Sequence, residues 1–309
     1  MHCGPFVALE TDMNTIAASH RPSVRLARDV LSLFKLRIGV MIMITALVGL
    51  AVTPGAALSA GQLLTLALSV LVASASAGAY NQYYEHDVDH LMARTRRRAF
   101  VTGSLRHTPA WLLLIVGLLV GAVAAAAWSL NAMSALFVFL GAFFYAVVYT
   151  VWLKRRSWLN IVVGGLAGSF AVLAGAAAVD PSLGALPLLL ALVLFLWTPP
   201  HFWSLAIANR ADYAAAGVPM LPVVVGPERA ARVVLHSTVA LVVASLLPGL
   251  FGAGVVYMAG AAAGGGYFVF RAWQLARQPS RATAMASFFA SLVQLSVLLA
   301  AATVDGLLR

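Results

Sequence analysis

The chain has 309 residues, 62% of them apolar and only 10% charged, with a mean hydropathy of +0.92. So few charges cannot cover the surface of a water-soluble globule, and the composition requires a polytopic membrane protein. The formal net charge of +10 calls for no nucleic-acid partner, because membrane topology alone concentrates Lys and Arg on one face.

In chain order, residues 1–34 read as a cytoplasmic tail and 35–309 as one transmembrane domain. The tail resembles no cleavable signal, since its apolar run is short and its basic residues follow that run; Met13 is an alternative start. The single cysteine, Cys3, has no partner, which excludes disulfides and thiolate metal sites. Nine stretches approach the spanning length, at about 38–57, 62–82, 109–128, 132–152, 158–179, 183–206, 231–251, 253–270 and 284–304. The expected fold is therefore all-α, nine transmembrane helices in one bundle. Nineteen of the twenty Lys and Arg residues fall in alternate gaps, from Arg21–Arg37 to Arg271–Arg281, and only Arg309 lies across the membrane. That order puts the amino terminus in the cytoplasm and the carboxyl terminus opposite, as in a bacterial inner membrane.

The second span ends in Asn81-Gln-Tyr-Tyr-Glu85-His-Asp87-Val-Asp89, which holds three of the ten acids in the whole chain. If the helix runs on past Asn81, residues 81, 85 and 89 step round it by about 40° each and share one face, while Asp87 joins them only where the helix unwinds. Carboxylates this close repel unless a cation neutralises them. Hard oxygen ligands select Mg²⁺ or Ca²⁺, and Mg²⁺ held by one or two carboxylates completes its shell with water and substrate phosphate. Arg94, Arg96, Arg97 and Arg98 follow at once and suit a phosphate. A diphosphate head on an apolar tail, such as an isoprenoid diphosphate, fits a site where hydrocarbon begins.

Further along, Lys154-Arg155-Arg156 reads first as a topogenic stop. Gly164, Gly165, Gly168 and Gly175 recur at three- and four-residue steps and read as packing positions. Pro199 and Pro200 should break the sixth span beside His201, an imidazole that could bind iron or simply be a hydrogen-bonded interfacial group. Tyr83, Tyr84, Trp197, Phe202 and Trp203 could shelter a carbocation or merely anchor the interface. His86 and His90 read as loop residues. Asn209 and Asp212 follow the sixth span much as Asn81 and Glu85 follow the second, which hints at an internal repeat.

Together, Asn81-x3-Glu85-x-Asp87-x-Asp89-x2-Met92-x-Arg94-Thr95, Tyr149-Thr-Val-Trp-Leu153-Lys154-Arg155-Arg156, Asn160-Ile-Val-Val-Gly164-Gly165, Trp197-Thr-Pro-Pro-His201-Phe-Trp203 and Asp212-Tyr213-x3-Gly217-Val-Pro219-Met220-Leu221-Pro222 resemble the protohaem IX farnesyltransferases (haem O synthases) of the UbiA superfamily. The likeness runs from about Lys35 to Asp305. It implies a helical bundle around a lipid-accessible central cavity, in which Mg²⁺ bridges acidic motifs to farnesyl diphosphate and a vinyl group of haem b attacks the allylic cation. Carried over by position, it implies metal binding by Asn81, Glu85, Asp87, Asp89 and Asp212, with Asn81, Glu85, Asp89 and Asp212 catalytic. It also implies diphosphate contacts from Arg94, Lys154 and Arg155, a haem contact from His201, and a product used by haem A synthase or terminal oxidase assembly. Three features depart from the pattern: a lone acid at Asp212, Glu85 where Asp is frequent, and Leu36 and Ala99 where proline is frequent. Two readings stay open beside it. One is a related prenyltransferase acting on a phenolic or quinone precursor; the other is a secondary transporter, which the scarcity of ionisable residues inside the spans disfavours.

Overall fold

The structure is a computed structural model that describes the backbone from Pro22 to Leu308 and side chains from Leu26 onward. Cys3, Met13, Arg21, Arg309 and the side chain of Arg25 lie outside the described residues. Among the described residues fourteen α-helices follow in order: α1 (Pro22–Leu33), α2 (Leu36–Ala51), α3 (Ala60–Tyr84), α4 (Ala99–Thr102), α5 (Pro109–Ser129), α6 (Ala132–Phe143), α7 (Asn160–Gly164), α8 (Leu166–Val179), α9 (Ala185–Ala208), α10 (Arg210–Ala215), α11 (Leu221–Val225), α12 (Pro227–Leu246), α13 (Val255–Arg277) and α14 (Arg281–Leu307). No strand occurs among the described residues.

Eight helices are long and apolar enough to cross a membrane, counting Leu26–Ala51 as one and α7 with α8 as another. The expected eighth span is α13, whose 23 residues reach about 34 Å. Its four glycines and two tyrosines dilute its hydropathy, and it falls outside those eight. The chain is an integral membrane protein; the count of nine spans rests on α13.

Two apolar cores share helices α2 and α8. One joins them to α3, α5 and α6, the other to α9, α12, α13 and α14. The shared crossing is tight because glycine leaves no side chain there: a Cβ on Gly49 would overlap the backbone of Val172, and one on Gly175 the backbone of Ala46. Gly175 is thus a packing residue, as expected. Gly168 is not, because a Cβ there would meet nothing within 4 Å and the residue faces a cavity.

That cavity, of about 540 Å³, is walled mainly by α2, α3, α6, α8 and α9, with Leu292 and Leu295 of α14. Its lining is almost wholly apolar. Lys35, Arg37 and Tyr145 stand at one end.

Two local expectations are corrected. Pro199 and Pro200 do not break the sixth span: α9 runs unbroken through both to Ala208. The prolines deprive only the carbonyls of Phe195 and Leu196 of their amide donors, and in apolar surroundings no water competes to open the helix there. Conversely, α6 does not stay α-helical. From Phe144 to Leu153 it widens to a π-helix, continued by the bond from Lys154 N to Tyr149 O at 2.9 Å.

Candidate active site

Helix α3 ends at Tyr84 and Glu85 is its C-cap, yet the turn continues: Asp89 N donates to Glu85 O at 3.0 Å. The helical step therefore persists to Asp89. Asn81, Glu85 and Asp89 all point inward and are 2%, 1% and 0% exposed. Asn81 Nδ2 donates to Glu85 Oε2 at 2.8 Å, and Arg98 Nη1 stands 2.5 Å from Asp89 Oδ2 and 3.9 Å from Glu85 Oε2. The three side chains expected on one face are on one face.

Asp87 is not with them. Two positions after Glu85 on a helical turn it points some 200° away, and its half-exposed carboxylate pairs with Arg155 Nη2 at 3.1 Å. Burial acts to raise the Asp87 carboxyl, but the bond and charge of Arg155 prevail and hold it below its usual value. Asp87 accordingly stands apart from the other residues of the expected metal set. Arg155, also over the ring of Tyr84 at 5.7 Å, is engaged at the surface.

The repulsion between Glu85 and Asp89 is relieved by the chain's own cations. Lys154 is no solvated topogenic stop: it is 7% exposed, and its ammonium straddles Glu85, 2.5 Å from each carboxylate oxygen. Burial lowers its affinity for the proton while Glu85 opposes that effect. The π-turn explains the placement. It sets Tyr145, Thr150 and Lys154 toward α3, where Thr150 Oγ1 accepts from Asn81 Nδ2 at 3.2 Å and donates to Tyr145 O at 2.8 Å.

Lys35 completes the cluster, and sequence spacing carried no signal for it beyond its place just before a span. It takes a left-handed conformation (φ 47°) between α1 and α2, costly for a residue with a Cβ. Its Nζ donates to Asn81 Oδ1 at 2.8 Å and to Tyr145 Oη at 3.4 Å. Since Lys35 and Tyr145 also line the cavity, the acidic cluster caps its polar end.

Arg94 is exposed and forms no ion pair among the described residues. Asp212 lies in the first turn of α10, half-buried, and no hydrogen bond or ion pair among the described residues joins it to Glu85 or Asp89. The two sides meet electrostatically at buried Tyr213, whose hydroxyl is raised by burial first, opposed by Arg94 and reinforced by Asp212 and Glu85. Asn209 does not repeat Asn81, because its amide bonds Leu205 O of its own helix at 2.9 Å.

Among the described residues no three His, Cys, Asp or Glu side chains form a ready-made metal cage. One oxygen nevertheless suits a hard cation. Asp89 Oδ1 is sealed from water and accepts no hydrogen bond, and burial raises the Asp89 carboxyl despite Arg98. An oxygen in that state gains from a cation supplied from outside.

His201 lies on the cavity wall, its ring stacked between Trp197 (4.1 Å) and Phe288 (4.6 Å). Of the five aromatics expected near a carbocation, Trp197 and Phe202 line the cavity. Trp203 is buried in a separate core, Tyr83 stacks on His107 at 4.0 Å, and Tyr84 lies under Arg155. His86 lies in a turn, as expected, and stacks on His107 at 3.8 Å.

A basic and acidic cluster capping an apolar cavity inside a helical bundle is the arrangement that a prenyl diphosphate needs, and residues 42–293 match the UbiA prenyltransferase family. The chain belongs to that family. A protein named Protoheme IX farnesyltransferase 2 from Paramagnetospirillum magneticum is 55% identical over 277 residues, covering 90% of this chain and 96% of the relative. The fold matches a solved digeranylgeranylglyceryl phosphate synthase with a TM-score of 0.77 at 17% identity, over 92% of this chain and all of the other. It also matches a UbiA homolog from Archaeoglobus fulgidus bound to DMAPP and Mg²⁺, with a TM-score of 0.67 at 18% identity, over 90% of this chain and 99% of the other. The chain is a prenyltransferase by family. Spacing alone conveyed the outward turn of Asp87 but not the absence of a direct bond from Asp212 to Glu85 or Asp89.

Proposed function

We propose that this prenyltransferase is a haem O synthase, which moves the farnesyl group of farnesyl diphosphate onto a vinyl group of haem b. The bond from farnesyl C1 to the diphosphate oxygen breaks, a new carbon–carbon bond forms at the vinyl group, and water adds to the resulting cation with loss of a proton. Diphosphate leaves. The observation that carries this reading is the convergence of Lys35, Asn81, Glu85, Asp89, Arg98 and Lys154 at the polar end of a cavity whose wall holds His201. The name of the 55%-identical relative supports the same acceptor.

The cations would hold the diphosphate and favour its departure, and the apolar walls keep water from the allylic cation. A cavity of about 540 Å³ is within the range of small-molecule pockets. Asn81, Glu85, Asp89 and Asp212 would hold Mg²⁺, exposed Arg94 is free to meet the diphosphate, and Arg155 would do so only on leaving Asp87. When bound, Mg²⁺ supplies Lewis-acid neutralisation of the leaving oxygens. His201 faces the porphyrin. The setting is a bacterial inner membrane with nine spans, the amino terminus and the acidic cluster cytoplasmic. The product passes to haem A synthase or to terminal oxidase assembly.

Purified protein given haem b, farnesyl diphosphate and Mg²⁺ is expected to yield a heavier, more apolar haem by chromatography and mass spectrometry. Chelation, Glu85→Gln and Asp89→Asn should each abolish that product. Prenylation of a phenolic or quinone acceptor with haem untouched would replace the acceptor, and full turnover under chelation would remove the metal.

A further inference from the structure

His201 makes one hydrogen bond, and the chemistry of its partner decides the state of the ring. Nδ1 lies 2.6 Å from Ser291 Oγ. That hydroxyl has a single proton, and Ser291 Oγ donates to Phe288 O one turn earlier in α14, also at 2.6 Å. A serine that has given its proton to a carbonyl meets its second neighbour only as an acceptor. The imidazole must therefore be the donor, which puts its proton on Nδ1 and leaves Nε2 with a bare lone pair.

The surroundings hold the ring in place. Trp197 and Phe288 stack on its faces, Phe202 meets it edge-on at 5.1 Å, and Trp197 Nε1 donates to Ser291 O at 2.9 Å. Among the described residues Nε2 has no hydrogen-bond partner, and it is not one of the sealed, unpartnered polar atoms of the interior. His201 lines the cavity, and Nε2 is its ring nitrogen left without a protein partner.

We propose that Ser291 is a positioning residue for the acceptor: by accepting the Nδ1 proton of His201 it fixes the tautomer and ring angle that present Nε2 to the iron of a metalloporphyrin in the cavity. This rests on the reading of haem as the acceptor substrate. Partners of this kind orient a ligating histidine and raise its basicity, and losing one costs metal affinity about 10- to 100-fold. The neighbouring hydroxyls do not share the role, since Ser204 and Ser287 bond each other at 3.0 Å.

Two measurements test it. Nitrogen-15 resonances of labelled histidine in the reconstituted protein, with His201→Gln identifying the signal, should show a protonated Nδ1 and a bare Nε2 in the wild type. The opposite tautomer would overturn the proposal without any variant of Ser291. Ferric haem is then titrated into wild type, His201→Gln and Ser291→Ala, read by absorption and electron paramagnetic resonance. Ser291→Ala should stay folded with its melting point lowered by no more than about 5 °C, the cost of the unpaired Nδ1 donor, bind haem at least tenfold more weakly and change the axial-ligand spectrum, while His201→Gln loses that spectrum. Wild-type affinity and spectrum in Ser291→Ala would overturn the role of Ser291 and leave the haem reading intact. A wild type that turns over farnesyl diphosphate on another acceptor and binds no haem would overturn both.

Discussion

Replacing Lys154 by methionine is the sharpest probe of the acidic cluster, because it removes one charge while keeping most of the volume. Glu85 is 1% exposed and the Lys154 side chain 9% exposed, so neither recovers solvation when the other is lost. Breaking a buried pair from one side costs about 3–5 kcal/mol. Glu85 keeps the amide of Asn81 at 2.8 Å and the guanidinium of Arg98 at 3.9 Å, which sets the expectation at the lower end, about 3 kcal/mol. For a chain of this length that corresponds to a fall of roughly 5 °C in the thermal midpoint. The assay is a double-mutant cycle on detergent-purified protein: Lys154→Met, Glu85→Gln and the two together, each melted and each tested for diphosphate binding. The double variant should melt within a degree or two of wild type, because no uncompensated charge remains in it. Strictly additive losses, or a single Lys154→Met variant as stable as wild type, would refute the pair and return Lys154 to a topological role.

Asp87→Ala should leave farnesyl transfer and melting close to wild type, since the ion pair it removes is half-exposed; loss of turnover would restore Asp87 to the metal set. Gly168→Leu fills open cavity space rather than protein. It should melt no lower than wild type while cutting farnesyl transfer by tenfold or more, with geranyl diphosphate affected less. Unchanged chain-length preference would place the prenyl tail elsewhere. At the far end of the bundle, Asp305 accepts from Gly254 N at 2.8 Å and Tyr257 N at 3.4 Å, capping α13. Asp305→Ala should cost about 1–2 kcal/mol of stability with activity per folded molecule retained, and a kinetic defect at full stability would contradict the capping role.

Period and composition were enough to establish the class of this protein, most of its long helices and the shared face of three candidate site residues. Each depends only on residues near one another in the chain: an apolar run long enough to span, and a four-residue step that turns Asn81, Glu85 and Asp89 to one side. The same step predicts that Asp87 faces away, which it does. What neutralises those acids depends on contacts between distant segments. Lys154 reaches Glu85 across 69 positions and Lys35 reaches Asn81 across 46, and no periodicity encodes either distance. The first depends on a π-turn whose residues read as ordinary helix, the second on a left-handed residue with no glycine to announce it. Two prolines that read as a break are carried within an unbroken helix, because hydrocarbon surroundings leave the backbone no water to bond instead. Tertiary packing alone decided which aromatics line the cavity and which hydroxyl answers His201, since stacking and proton sharing are settled by neighbours in space.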